Sequence, residues 1–170
     1  MDLKKIIRDI PDFPKPGIMF RDITTLLMDA GAYAYSIDEM ARLLDGYDYT
    51  LILGPESRGF IFGAPLAYKL GKGFIPVRKA GKLPHEVIKK DYALEYGNAT
   101  IEIHKDAIKP GQRVLVADDL LATGGTSKAI VDMVKEVGGI VAALVFMIEL
   151  TDLKGRDALS GENVLSLVKY

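Results

Sequence analysis

The stretch Val114–Ser127, VLVADDLLATGGTS, decides how the chain is read. It opens on the apolar run Val114-Leu115-Val116-Ala117 behind the turn Pro110-Gly111. Such a run reads as a buried strand of a parallel sheet. Two adjacent carboxylates follow, Asp118 and Asp119, and then the turn Thr123-Gly124-Gly125-Thr126-Ser127. Beyond it Ile130, Val131, Val134 and Val137 recur at helical spacing. The order is strand, acid pair, glycine-rich turn, helix.

That order has a chemical meaning. Backbone N–H groups left over at a helix start, with the positive end of the helix dipole, suit a phosphate. Gly124 and Gly125 let the backbone approach an anion, and Thr123, Thr126 and Ser127 add hydroxyl donors. The Walker pattern GxxxxGK[ST] is absent and no lysine lies inside the turn. The turn is therefore suited to one terminal phosphate. Asp118 and Asp119 can accept hydrogen bonds from vicinal hydroxyls. Phosphate at one end and a diol at the other describe a ribose 5-phosphate.

Composition sets the outer bounds. At 170 residues one domain is the expectation. With 49% apolar and 26% charged residues the chain reads as a soluble globular protein. A net charge of −1 gives no reason to expect a nucleic-acid or membrane surface. The absence of cysteine excludes disulfides and thiolate zinc sites. MDLKKIIRDIPDF is too charged for a signal peptide, and the longest apolar run, Ile140–Ile148, is too short to span a bilayer. A cytoplasmic location is the simplest expectation.

Along the chain, strands alternate with helices. Residues 3–8 predict a short amphipathic helix, and residues 33–45 a longer one stopped by Gly46. Between them Pro11, Pro14 and Pro16 forbid regular helix. Phe13, Ile18, Met19, Phe20 and Ile23 make that segment too apolar for a solvated linker, so it is expected to fold over something. Strands are predicted at 49–53, 73–77, 92–96, 99–104, 114–117, 139–148 and 164–168, with helices at 60–70 and 152–159 besides the one after the glycine turn. The predicted fold is α/β: one domain with a mostly parallel central sheet flanked by helices and right-handed crossovers. Residues 1–30 would form a small N-terminal hood. Ligands in such sheets bind at the carboxyl ends of strands. The loops 54–59, 78–82 and 118–127 meet that condition.

The run at 114–127 resembles the binding motif for 5-phospho-α-D-ribose 1-diphosphate (PRPP) in type I phosphoribosyltransferases. GPESRGF at 54–60 and VRKAGKLP at 77–84 resemble the diphosphate-binding loops of that family. FPKPGIMFRDIT at 13–24 and YALEYG at 92–97 point to its adenine-using branch, and the motifs occur in the same order over nearly the whole chain. The resemblance implies formation of AMP and diphosphate from adenine and PRPP, with magnesium, by a homodimer. Family members that use hypoxanthine or guanine carry an aspartate where this chain has Ala122.

The implied roles are these. Ala122, Thr123, Gly124, Gly125, Thr126 and Ser127 would bind the 5-phosphate, and Asp118 and Asp119 the ribose hydroxyls. Ser57, Arg58, Arg78, Lys79 and Lys82 would offset the charge of the departing diphosphate. Arg21 and the backbone near Met19 would recognise adenine, with Phe20 nearby: backbone C=O and N–H serve the base without charge, and Arg21 would bond N7 or N3 or else pair with Asp22 or a distant acid. Glu95 is the candidate acid/base, with Tyr96 beside it, and residues 78–98 would form a diphosphate loop and mobile lid. Magnesium would be held mainly by substrate and water, near Asp118 and Asp119. Lys89 and Lys90 read as a solvated face. The rival readings are a transferase for 6-oxopurines, a PRPP-sensing regulator without turnover, and a bare nucleotide-binding module. Ala122 and the segment at 13–24 speak against the first; no basic helix-turn-helix pattern supports the second.

Overall fold

The computed structural model describes residues 1–93 and 98–170. They fall into two compact units, Met1–Glu39 and Met40–Tyr170.

In the N-terminal unit, strands β1 (Arg8–Ile10) and β2 (Phe20–Asp22) form an antiparallel ribbon. The helix expected over 3–8 is a single 3₁₀ turn, Leu3–Lys5, because Arg8 already belongs to β1. Asp9 faces Arg21 across the ribbon and the two side chains form an ion pair. The Phe13 and Phe20 rings meet edge to face at 5.1 Å. Phe13, Ile18 and Met19 nevertheless stay exposed, at 49%, 39% and 44%, so the proline-rich segment keeps an apolar rim. A short helix α1 (Thr24–Met28), not foreseen from the sequence, leads into α2 (Ala30–Leu43). Gly46 adopts φ +85° soon after α2, in keeping with its reading as a stop.

The larger unit is an α/β fold around one mostly parallel sheet. Its strands are β3 (Leu51–Pro55), β4 (Gly73–Lys79), β5 (Val87–Ala93), β6 (Asn98–His104), β7 (Arg113–Leu121), β8 (Ile140–Glu149) and β9 (Val164–Lys169). They lie in the order β5-β6-β4-β3-β7-β8-β9. The pairs β4/β3, β3/β7, β7/β8 and β8/β9 are parallel; β6 runs antiparallel to both neighbours. Helix α3 (Arg58–Leu70) connects β3 to β4, and α4 (Gly125–Glu136) connects β7 to β8. Among the described residues no helix is long and apolar enough to cross a membrane.

The core explains these choices. Leu53, Ile75, Val116 and Leu144 are direct cross-strand partners, so they share one face. They cluster with Ile130, Val131 and Val134 of α4. Helix α3 covers the opposite face. A Cβ at Gly63 would lie 2.8 Å from the Phe74 ring and 3.6 Å from Gly54 Cα, one residue out of step with Ile75 and Leu53. Crossovers from the adjacent strands β3 and β7 thus leave in opposite directions. The carboxyl ends of that pair form the switch point where open α/β sheets bind ligands.

Several boundaries differ from the sequence reading. Strand β7 runs on through Asp118 and Asp119 to Leu121, so the acids lie within the strand. Arg78 and Lys79 are the last residues of β4. Of the strand expected at 92–96, residues 92 and 93 close β5 (Val87–Ala93), which begins within the segment expected to be a polar lid, and residues 94–96 lie outside the described residues. Strand β5 is an edge strand whose every residue from Val87 to Ala93 faces one on β6.

Candidate active site

The switch point between β3 and β7 opens into a cleft of about 490 Å³, within the usual size range of small-ligand sites. Pro55, Glu56, Ser57 and Arg58 line it from the β3–α3 turn. Asp118, Asp119, Leu120, Ala122 and Thr126 line it from β7 and the start of α4, and Tyr92 from β5. Three separately predicted elements therefore meet in one place: the acid pair, the glycine turn and the Ser57–Arg58 loop.

Asp118 and Asp119 are 9% and 6% exposed. The Asp119 N–H donates to Asp118 Oδ1 at 2.8 Å. Arg58 Nε lies 2.7 Å from Asp119 Oδ2. Arg58, expected on the diphosphate, is thus fastened to the acid pair. Burial pushes the Asp118 carboxyl well above the usual carboxylate range, and the neighbouring Asp119 charge adds to the rise. Burial also raises Asp119, against the opposing pull of Arg58. A pair of this kind ionises fully only when something nearby supplies positive charge or hydrogen-bond donors. Gly59 is what lets α3 come so close: a Cβ there would lie 2.5 Å from Pro55 Cδ and 2.9 Å from Asp118 Oδ1.

The glycine turn leads into an uncapped helix start. Gly124, at φ +85°, precedes the first residue of α4, and no side chain caps the helix. The amides of the first turn therefore lack intrahelical acceptors. The turn is buttressed from behind by α5 (Gly155–Ala158): a Cβ on Gly124 would lie 2.5 Å from the Gly155 carbonyl oxygen. Conversely, a Cβ on Gly155 would run into the Ala122 carbonyl. Arg156 fixes this buttress through Glu149 at the end of β8, with Nε to Oε1 at 2.7 Å and Nη2 to Oε2 at 2.8 Å. Thr123 is exposed and Thr126 half-buried. Ser127 is buried at 3%.

The other predicted cations gather around Glu56. Arg78 Nε lies 3.5 Å and Lys82 Nζ 3.4 Å from Glu56 Oε2, and the Lys79 N–H donates to Oε1. Burial alone would raise the Glu56 carboxyl; the Lys79 amide, Lys82 and Arg78 outweigh it and hold the group below its ordinary value. Glu56 donates its own N–H to the Val77 carbonyl at 2.8 Å, and the Glu56–Ser57 peptide is cis. Arg78 also lies over the Phe60 ring, 5.9 Å from its centre. Arg78, Lys79 and Lys82 do not line the cleft themselves; Glu56 joins them to it.

Met19, Phe20 and Arg21 lie in the N-terminal unit, with Phe20 and Arg21 in β2. Glu95 and Tyr96 lie outside the described residues. Sequence reading missed the Glu56 carboxylate, Tyr92 and Leu120 as cleft residues. Glu56 stands inside the quoted motif GPESRGF and Tyr92 opens YALEYG, so both carried a signal.

A deep acid pair thus lies beside an uncapped, glycine-led helix start at the switch point of an α/β sheet, where proteins of this class bind their ligands. The sequence profile of the phosphoribosyl transferase domain family matches residues 19–162. The adenine phosphoribosyltransferase of Clostridium beijerinckii is 59% identical over 170 residues, 100% of this chain and 99% of that protein. The crystal structure of the adenine phosphoribosyltransferase from Thermoanaerobacter pseudethanolicus superposes with a TM-score of 0.96 at 56% identity, covering 99% of this chain and 98% of that one. That of the Saccharomyces cerevisiae enzyme, complexed with an imino-altritol bisphosphate and adenine, gives 0.89 at 40% identity, covering 96% and 94%. The chain belongs to the phosphoribosyl transferase family and, within it, to the adenine phosphoribosyltransferases.

Proposed function

We propose that this chain transfers the 5-phosphoribosyl group of PRPP to N9 of adenine, releasing diphosphate and AMP. The observation that carries the reading is the meeting of Asp118, Asp119, Ala122, Thr126, Ser57 and Arg58 in one cleft. In the reaction the bond from C1 to the diphosphate oxygen breaks and the electron pair leaves with diphosphate. The bond from C1 to N9 forms, and the proton on N9 is lost.

Each residue role follows from charge and position. Amides and hydroxyls of 122–127 hold the 5-phosphate, with Thr123 and Thr126 as the accessible hydroxyls. Asp118 and Asp119 take the ribose hydroxyls. Donors from the ribose favour their ionised forms, and their charge then opposes the positive charge growing on the sugar ring. Arg78, Lys79 and Lys82 exchange Glu56 for diphosphate, whose greater charge competes for the same donors. Ser57 supports the same end, and Arg58 keeps Asp119 oriented.

The described residues contain no group of three or more His, Asp or Glu that could hold a metal by themselves. Two buried carboxylates suit a magnesium ion bound mostly by substrate and water, which would supply Lewis-acid and templating chemistry. Asp118 and Asp119 are the residues to hold it. Glu95, with Tyr96 beside it, is our choice for the purine proton, and residues 78–98 for the cover that excludes water. For the base, we assign the backbone of residues 19–21, because Arg21 is engaged with Asp9. Ala122 puts no acid beside the purine, which favours adenine over the 6-oxopurines. A cytoplasmic homodimer completes the reading.

Diphosphate release from PRPP with adenine, hypoxanthine and guanine in turn tests it. Turnover with adenine alone is expected. Tight PRPP binding without release for any base would favour the sensing reading instead.

A further inference from the structure

One buried acid lies outside the chemistry above. Glu102, in the middle of β6, is 1% exposed. Its two cross-strand neighbours are both cations: Arg78 on β4 and Lys89 on β5. Residues directly opposite one another share a face of the sheet, with Cβ atoms roughly 5 Å apart. Arg78, Glu102 and Lys89 therefore form a row of alternating charge across three strands. Lys89 Nζ stands 3.0 Å from Glu102 Oε1, near enough for an ion pair yet off-line for a hydrogen bond, so that oxygen accepts none among the described residues. The other oxygen, Oε2, accepts the Gly81 N–H at 3.0 Å. Gly81 has φ +79° and sits between Lys79 and Lys82, at the bend of the turn that leaves β4.

The geometry points to Glu102 as the residue that positions the diphosphate-binding turn, by holding the Gly81 amide while facing Arg78 and Lys89 across the sheet. A carboxylate this deep is costly unless its surroundings compensate it. Here the compensation comes from the turn amide and from Lys89, so the arrangement fixes those groups as much as it fixes Glu102. Glu56 holds Arg78 and Lys82 from the cleft side. Glu102 holds the backbone between them at the Gly81 amide. The turn thus keeps its shape when a ligand takes the place of Glu56, and the cations need not be ordered anew on binding. This inference rests on the assignment of Arg78, Lys79 and Lys82 to diphosphate.

The probes are inorganic diphosphate with magnesium and, separately, AMP, which has no diphosphate. Binding is measured by calorimetry for wild type, Glu102→Ala, Glu102→Gln and Arg78→Ala. Glu102→Ala is expected to weaken diphosphate about tenfold or more, the scale of one charged hydrogen bond lost. Glu102→Gln keeps an acceptor for Gly81 without the charge, so its loss should be smaller, roughly threefold. AMP affinity should stay within about twofold in both, a split that a general loss of fold would not produce. Parallel loss of AMP and diphosphate would overturn the inference. So would unchanged diphosphate binding in Glu102→Ala while Arg78→Ala loses it. If Arg78→Ala also binds diphosphate as wild type does, the assignment of the cations fails, and the role of Glu102 fails with it.

Discussion

Replacing Asp118 by asparagine separates the cost of the buried acid pair from its use. The side chain keeps its shape and can still accept the Asp119 N–H, which lies 2.8 Å away. What disappears is a carboxyl whose ionised form sits beside a second carboxylate, both nearly out of water. Two unit charges on the order of 5 Å apart repel by about 3 kcal/mol at an effective dielectric of about 20. Arg58, 2.7 Å from Asp119, offsets part of this. A net gain of about 1–2 kcal/mol in the ligand-free variant corresponds to a Tm rise of about 2–8 °C for a chain of this size. The pH dependence has a definite sign. The Asp118 carboxyl titrates higher in the fold than in the unfolded chain, because of burial and the Asp119 charge. Between those two values the native state holds the extra proton, so wild-type stability falls as pH rises through the window. The variant lacks that titration. Its Tm advantage should be small at about pH 4, close to the ordinary carboxylate value, and grow toward about pH 8. Catalysis moves the other way, with kcat expected to drop roughly 100-fold or more as the ribose loses its charged acceptor. Scanning calorimetry across pH with steady-state kinetics reads both. A Tm advantage that is flat or shrinks with pH, or an undiminished kcat, refutes the reasoning.

Three further substitutions probe other parts of the site. Gly155→Ala puts a methyl against the Ala122 carbonyl and 2.8 Å from Leu121 Cδ1, so AMP affinity should fall about tenfold as the phosphate turn shifts; calorimetric titration with AMP measures it. Arg156→Ala leaves Glu149, 4% exposed, without its bidentate partner and should lower stability by roughly 1–3 kcal/mol at neutral pH in urea unfolding. The loss should shrink in acid, because the Arg156 hydrogen bond holds the Glu149 carboxyl low and that contribution vanishes as pH falls through its folded value. Glu95→Gln should reduce kcat by about 100-fold or more with PRPP affinity retained; single-turnover kinetics would show otherwise if a backbone group handles the proton.

Much of this was legible because period and punctuation agree. Helix α3 follows an apolar pattern closed by Gly71 in the left-handed conformation, and it began two residues before the predicted start. The acid pair and the glycine turn were readable because strand, turn and helix follow one another without a gap. What stayed hidden depends on contacts distant in sequence. Asp118 and Asp119 read as the end of a buried strand, since acids seldom continue one; Arg58 and the hydrogen-bonded pairing with β8 let β7 run on. Lys89 and Lys90 read as a solvated face, and nothing in their spacing shows that β6 pairs with both or that Lys89 forms an ion pair with the buried Glu102. Residues 3–8 have a helical pattern that loses to the β1–β2 ribbon and its Asp9–Arg21 pair. The engagement of Arg78 and Lys82 by Glu56 could not be read from spacing, because it joins two strand ends.

The most direct measurement is a crystal structure of the protein with AMP bound. The account predicts the phosphate against the amides of residues 123–127, the ribose hydroxyls on Asp118 and Asp119, and Arg78 and Lys82 free of the ligand. AMP seated elsewhere, with the amides at the start of α4 making no contact to its phosphate, would contradict it.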